Sequence, residues 1–512
     1  MPKKKLVLTV IDSLGARYVL PALKSGRLPN MRALAHTGQA QVATTIFPSI
    51  THACLSSIAT GAYPRDHGVY GAYFVEERSN DIAYFGSNIK VILSQGIDKF
   101  LVNFLYKLNH EHLKLPTLFE KIESAGLTAG VLNHLIYRGN VARAIKTPGL
   151  IGAMPGAAQL DEVCGPTIFY MGDFVGDVPD RTILDDAPSG PFKRYGVSDE
   201  GTQHVLLGLA RRGLLPDFTL AYFPDNDILC HDEGPDCTFD VLEPIDRMLG
   251  SVIDALGGLG PALEETAFVI VGDHAQCAVC DESKRPAIEL DEVLRGFDLI
   301  GAGEPLDEDR ELLVAPNLRA CAIYCNRPDL ERVDRIAQLL ISDPRVDQVM
   351  FRSDLVLTSE PGFRVLTSDR GTLRFWRGES SPNCAVDDYG TAWSWAGDLR
   401  TLDVSATAGR LVWGAYPNAF ERIAGCLEAE STGHIWATAR PLYEFRLPRI
   451  NIHTGGGSHG SLHELDSLVP LITAGLPEGV HPPDHPRIVD ISPLVLASLG
   501  LPVAEHALAS GK

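Results

Sequence analysis

Acidic and imidazole side chains gather at the ends of three short apolar runs. LVLTVI ends on Asp12, FTLAYF leads into Asp227-Ile-Leu-Cys-His231, and AFVIVG leads into Asp273-His274. Runs of this length and composition predict strands buried on both faces of a parallel sheet. Carboxylates and imidazoles at the carboxyl edge of such a sheet suit a pair of divalent cations of hard to borderline character. That edge is also where open α/β sheets hold their ligands. On a helix, the spacing of Asp227 and His231 puts both on one face; in a loop it closes a chelate around one ion. A turn past a strand lets Asp273 and His274 reach a single ion. His459 lies in TGGGSHGS, where glycine permits close backbone approach; it reads equally as an exposed loop histidine.

A hydroxyl nucleophile is available in IFPSITHACLSSIATG. Ser49, Thr51, Ser56, Ser57 and Thr60 compete for the role. Hydroxyls deep in a helix serve more often to bond back to the preceding turn. Thr51 sits just before the expected helix, where unpaired N–H groups favour a phosphate oxygen. A threonine hydroxyl is a weak nucleophile at neutral pH, and a metal ion activates it without a catalytic His-Asp dyad.

The elements that must position these residues alternate along the first half of the chain. Apolar runs and helical patterns succeed one another, which predicts βαβ units and a mostly parallel sheet. THACLSSIATG reads as a helix closed by Gly61, and TFDVLEPIDRMLGSVIDALG as a long helix. From about residue 285 the pattern changes. RACAIYC, PDLERVDRIAQLLIS and QVMFRS form a β-α-β-like unit, FRVLTS and GTLRFWRG a hairpin. LVPLITAG and ISPLVLASLG return to the earlier theme. Residues 1–285 and 450–512 are therefore expected to form an α/β catalytic domain, with 286–449 as an inserted α+β cap.

The chain has 512 residues and a formal net charge of −20, which argues against non-specific binding to nucleic acid or anionic membrane. A small anionic substrate is not excluded, because bound metal reverses the local sign. No apolar run approaches a membrane span. MPKKKLVLTVIDSLG mimics a signal peptide but is too short and is ended by Asp12; it is expected to be the first core strand. Ten scattered cysteines predict reduced thiols in a cytoplasm, and Cys277-Ala-Val-Cys280 is read as a fortuitous pair.

The segments LTVIDSLG, FPSITHACLSSIATGAYPRDHGVYG, YFPDNDILCHDEGP, FVIVGDHA, GGSHGS and RIVDISPLVLASLGLP occur in that order. In this set the chain resembles the alkaline phosphatase superfamily, and within it the type I phosphodiesterase/nucleotide pyrophosphatase family. The resemblance implies an alkaline-phosphatase-like α/β fold, a mostly parallel sheet flanked by helices, with a smaller inserted α+β subdomain. It implies two zinc ions about 4 Å apart. Asp12, Thr51, Asp273 and His274 would hold one, and Asp227, His231 and His459 the other. Thr51 would attack phosphorus in line and form a phosphothreonine, on a small phosphorylated substrate such as a nucleotide.

The sequence departs from the family pattern at points that bear on substrate. Cys54 stands where the family has an Asn that grips phosphate oxygen, and a thiol is a weak donor. Ala53 replaces the preceding Pro. The segment after PRDHG, which usually ends on an Asn, reads VYGAYF. A phosphonate hydrolase or phosphomonoesterase with the same metals is therefore the close alternative. A phosphosugar mutase and a non-catalytic binding protein are more distant ones. Cys54, Asn133 and Arg138 are candidate substrate contacts. His52, His67 and His463 are expected to be loop residues, and Trp393 and Trp395 to pack the cap.

Overall fold

The computed structural model describes residues 4–76, 81–86, 89–95, 97–149, 162–354, 360–429 and 431–503. The first apolar run becomes the strand Lys5–Ile11, buried from Leu6 onward. Its side chains alternate across the sheet: Leu6, Leu8 and Val10 join one apolar cluster and Val7 and Ile11 another. Each such side chain contributes about 1.5–3 kcal/mol when fully buried. This strand pairs in parallel with Phe218–Phe223 on one side and Thr266–Gly272 on the other. Ala129–Leu132 and Ile168–Met171 continue the parallel series. Antiparallel pairings finish both ends: Leu468–Ala474 lies antiparallel to Thr266–Gly272 and Gln39–Thr44 antiparallel to Leu468–Ala474, while Val175–Asp177 lies antiparallel to Ile168–Met171. Among the described residues the sheet has eight strands.

Helices cover both faces. Ala16–Ser25, Pro29–Thr37, Asp199–Arg211 and Phe239–Ala255 pack on the Val7 side. Thr51–Thr60, Leu118–Ser124 and Ile491–Ser498 pack on the Leu8 side. The register decides where the chemistry falls. Ile11 lies opposite both Phe223 and Gly272, so Asp12 and Asp273 leave the sheet side by side, one strand from the segment that carries Asp227.

A second sheet, of eleven strands among the described residues, runs from Leu299–Ile300 to Arg410–Trp413 in sequence and takes in Ile435–Ala439. Ala320–Cys325 and Val346–Arg352 both lie antiparallel to Ile435–Ala439, which separates them. The helix Leu330–Ser342 connects them, so the β-α-β-like unit is split by a third strand. Phe363–Leu366 and Thr372–Arg377 pair antiparallel. Ala315, Ala322 and Trp436 of this second sheet share one apolar cluster with Leu8 and Val10 of the first. No helix among the described residues is long and apolar enough to cross a membrane. All ten cysteines are free, and Cys277 and Cys280 are both buried.

His67 illustrates how burial fixes a loop. It is fully buried, its Nδ1 accepts from the Val69 N–H at 3.1 Å, and its Nε2 lies 3.0 Å from Ser57 Oγ. Burial pushes its pKa down to about 3, so the ring is neutral in the fold. The unfolded ring, with a pKa near 6.5, takes up a proton that the folded ring refuses. Stability therefore falls as pH drops from about 6.5 towards 3. In His67→Gln the loss of unfolding free energy between pH 7 and pH 5 should be about 2 kcal/mol smaller than in the parent. Urea unfolding at both pH values checks this, and equal losses in the two proteins would refute it.

Candidate active site

Beyond the aligned strand ends, six acidic and imidazole side chains form two groups. Asp12, Asp273 and His274 make one; Asp227, His231 and His459 make the other, with the prospective donor atoms of each group within 4.8 Å of one another. Asp227 and His231 lie on the helix Asp225–Glu233, four residues apart and on one face, with Oδ1 to Nε2 at 3.4 Å. His459 comes from the far end of the chain and brings its Nε2 to 3.6 Å from the same Asp227 oxygen. In the other group, His274 Nε2 lies 3.3 Å from Asp12 Oδ1 and 3.4 Å from Asp273 Oδ2. The groups adjoin: the rings of His274 and His459 stack with centroids 3.8 Å apart.

Thr51 completes the first group. Its Oγ1 lies 2.9 Å from His274 Nε2, so one nitrogen faces two carboxylates and a hydroxyl. Thr51 is the first residue of the helix Thr51–Thr60 rather than a residue before it. The first intrahelical acceptor is Ile50 O, bonded by Cys54 N at 2.9 Å. The amides of Thr51, His52 and Ala53 therefore open the helix in the turn that has no intrahelical acceptor. Gly61 closes it in the left-handed conformation, φ 78, as the sequence predicts.

The surroundings orient each donor. His231 Nδ1 donates to Gly457 O and His459 Nδ1 to Ser49 O, each at 2.7 Å. With Nδ1 protonated, Nε2 carries the lone pair, the arrangement that metal-ligating imidazoles adopt. Tyr222 Oη donates to Asp12 Oδ2, and Asn226 Nδ2 to Asp12 O at 2.8 Å. Gln276 Nε2 donates to Asp227 Oδ1 at 2.7 Å. Ser13 Oγ donates to the same oxygen at 2.5 Å. Asp12 Oδ1 and Asp273 Oδ2 are buried without a hydrogen-bond partner. A buried carboxylate oxygen left bare is costly, and a bound cation is what such oxygens fit.

Electrostatics give the same reading. Burial, then the neighbouring Asp273 and Asp227 carboxylates, hold the Asp12 carboxyl well above its usual range. Burial pushes Asp273 up to about 7. Burial also lowers His231 to about 4 and carries His274 and His459 below the ordinary imidazole value. Asp227 is the exception: burial works to raise it, but His231, His459 and His274 together hold it below the usual carboxylate range. Two buried carboxyls and the half-buried Asp227 thus face imidazoles that resist protonation, a donor set that divalent cations complement as its carboxyl protons are released.

The other sequence candidates are committed elsewhere. Cys54 is fully buried, with its Sγ 3.3 Å from Thr45 Oγ1. Asn133 Nδ2 donates to Gly196 O, Ser198 O and Thr202 Oγ1. Arg138 holds the carbonyls of Asn109, Leu113 and Leu115 and pairs with Glu120. Among the described residues neither Asn133 nor Arg138 has a hydrogen bond or ion pair with the cluster. His463 accepts from Leu465 N at the start of a short helix. Trp393 and Trp395 are buried, and Trp393 Nε1 donates to Asp387. His52, expected in a loop, is instead buried in the helix Thr51–Thr60 and stacks on Phe85 with centroids 5.1 Å apart.

Sequence reasoning missed Ser13, Gln276, Tyr222 and a rim pair. His453 lies against His231, ring centroids 4.0 Å apart, and its Nδ1 is 3.1 Å from the buried Glu444 carboxylate. Ser13 and Gln276 sit beside ligand candidates in sequence, a signal that proximity alone would have supplied. Tyr222 and Glu444 carry no local signal.

Glycine is required where the His459 loop crosses the ligand helix. A Cβ on Gly456 would lie 1.9 Å from His231 O, and one on Gly457 2.3 Å from Gln276 Oε1. Gly456→Ala must therefore displace the backbone at His231. The affinity of this variant for a divalent cation, by chelator competition, should fall about tenfold or more; an unchanged affinity would show that the loop yields instead.

The sequence matches the type I phosphodiesterase / nucleotide pyrophosphatase family over residues 6–379. Comparison with curated protein sequences returns no match. Among solved structures, the fold is similar to that of murine ectonucleotide pyrophosphatase/phosphodiesterase 5, at 12% identity and TM-score 0.55, covering 98% of this chain and 97% of that one. It is also similar to phosphonoacetate hydrolase from Sinorhizobium meliloti 1021 in complex with phosphonoformate, at 17% identity and TM-score 0.56, covering 97% and 96%. The fold is thus alkaline-phosphatase-like, and the chain belongs to the type I phosphodiesterase/nucleotide pyrophosphatase family of phosphoester hydrolases.

Proposed function

We propose that the protein is a phosphodiesterase or nucleotide pyrophosphatase that uses Thr51 as nucleophile and two divalent cations, zinc by preference. Asp12, Thr51, Asp273 and His274 would hold one cation, and Asp227, His231 and His459 the other. Mixed imidazole and carboxylate donors favour zinc over calcium or magnesium. When bound, two such ions supply charge neutralisation and Lewis acidity to an in-line displacement. The observation that carries the reading is the convergence of Thr51 Oγ1, Asp12 and Asp273 on His274 Nε2.

The chain's own contribution follows from that geometry. Thr51 Oγ1, its proton released to solvent, forms its bond to phosphorus as the bond to the leaving oxygen breaks, and the leaving oxygen departs with the electron pair to be protonated by solvent. Water then cleaves the phosphothreonine and restores the hydroxyl. The open amides at the start of the helix Thr51–Thr60 face a non-bridging oxygen. The substrate is a small phosphorylated molecule, with a nucleotide as one candidate. Residues 286–449 act as a cap that sets substrate choice. The ten free thiols support a reducing compartment such as the cytoplasm.

A second reading keeps the metals and the nucleophile but takes a phosphonate or a phosphate monoester. Cys54 favours it: the thiol is fully buried against Thr45, so the position that grips phosphate elsewhere in the family offers no donor here. Catalytic efficiencies on a diester, a monoester and a phosphonate distinguish the two, and the diester should rank first.

Removing the nucleophile should lower kcat/KM by about a thousandfold or more. Chelation should abolish activity and zinc should restore it. Full activity in Thr51→Ala would discard the nucleophile assignment.

A further inference from the structure

Ser13 follows Asp12 and adopts a left-handed backbone, φ 58. Glycine takes that conformation freely, whereas a residue with a Cβ bears a penalty of about 1 kcal/mol or more. A non-glycine residue there calls for a compensating interaction, and the hydroxyl provides one. Ser13 Oγ donates to Asp227 Oδ1 at 2.5 Å, receives Gln276 Nε2 at 3.0 Å and lies 3.3 Å from His274 Nδ1. The Ser13 N–H donates to Asp273 Oδ1 at 3.1 Å. Asp227 belongs to one ligand group, and Asp273 and His274 to the other. Ser13 and Gln276 are 4% and 1% exposed, so water does not compete for these bonds.

We propose that Ser13 is a positioning residue that locks the two ion-binding groups into one geometry, with Gln276 as its partner. The proposal rests on the reading that both groups hold cations. With its hydrogen given to Asp227, Oγ offers lone pairs to Gln276 and to the Nδ1–H of His274. Ala275 O, also 3.3 Å from Nδ1, receives the same proton. Holding the proton on Nδ1 fixes the His274 tautomer and leaves Nε2 bare towards Asp12, Asp273 and Thr51. Gln276 braces Asp227 from the other side, donating to Oδ1 at 2.7 Å and to its carbonyl at 3.2 Å. One hydroxyl thereby sets the orientation of Asp227 and the tautomer of His274 together.

Ser13→Gly separates this role from a structural one, because glycine relaxes the backbone while deleting the hydroxyl. Metal-free Ser13→Gly should unfold at the same or a higher urea concentration than the parent. Its zinc affinity, by competition with a chromogenic chelator, should fall about ten- to hundredfold at both sites, with a matching fall in kcat/KM. Ser13→Ala should lose affinity alike. The combined Ser13→Gly/Gln276→Ala variant should lose less than the product of the single losses, since the two side chains act as a unit. Zinc affinities within twofold of the parent, or a loss confined to one site, would overturn the proposal. The parent titrated alongside keeps the two ideas apart. A parent that takes up two ions beside an unaltered Ser13→Gly defeats only the role of Ser13. A parent that takes up none defeats the cation reading and this inference with it.

Discussion

Everything at the site follows from three carboxylates brought out of water at one sheet edge. The register that sets Ile11 opposite Phe223 and Gly272 leaves Asp12 and Asp273 no choice but to adjoin. Like charges in a low-dielectric setting repel strongly and lose hydration. Among the described residues no lysine or arginine pairs with Asp12, Asp227 or Asp273; their close partners are His231, His274 and His459. Burial works against protonating those imidazoles. The fold thus builds a deficit of positive charge into its centre, and a cation from outside is the remedy consistent with the bare oxygens of Asp12 and Asp273.

Convergence from distant parts of the chain needs its own ties. Arg319 and Asp466 are both fully buried and form an ion pair. Arg319 N donates to His459 O at 2.9 Å, Asp466 Oδ2 accepts from Ser461 N, and Asp466 O accepts from Ala275 N. The pair therefore joins the His459 loop to the His274 loop. Arg422 adds a second tie: fully buried, it donates to Ile46 O at 3.0 Å and to Leu462 O at 2.9 Å. That bond set holds the segment leading into Thr51 against the His459 loop. Buried ionic groups add little net stability relative to apolar packing, so their value here is geometric. Arg319 immediately precedes the strand Ala320–Cys325 of the second sheet and Arg422 lies in the helix Ala419–Leu427. Residues from the stretch 286–449 are thus part of the frame that positions the ligands.

The strands and their acidic ends were legible because a strand buried on both faces leaves a plain signature, an apolar run stopped by a polar residue. The helix Thr51–Thr60 was legible through Gly61, whose left-handed φ is a local requirement. Local patterns do not report what a side chain meets across the fold. Asn133 and Arg138 follow a strand just as Asp227 does, yet they anchor backbone carbonyls. Ser13 carries no mark of its role in sequence, and its hydroxyl matters only because Asp227, His274 and Gln276 arrive beside it. The β-α-β-like unit was visible as sequence, but not the strand Ile435–Ala439 that lies between its two strands, since that pairing spans about a hundred residues.

The fate of Cys54 bears on how the chemistry would be divided. Its thiol turns away from solvent towards Thr45, and the Thr45 hydroxyl in turn donates to Asp273 O. A position one turn into the helix therefore supports the ligand loop instead of presenting a donor to substrate. Burial and the nearby Asp273 carboxylate also keep the thiol protonated, with its pKa well above the usual thiol range. A weak S–H donor buried against Thr45 does not reach out to a phosphate oxygen. On the proposed reading, that oxygen then depends on the helix amides and the bound cations, so charge compensation does more of the binding and directed hydrogen bonding less. A site built that way discriminates weakly by the substituents on phosphorus. Selection among esters, anhydrides and phosphonates would fall to side chains farther out, in the stretch 286–449 that also frames the ligands.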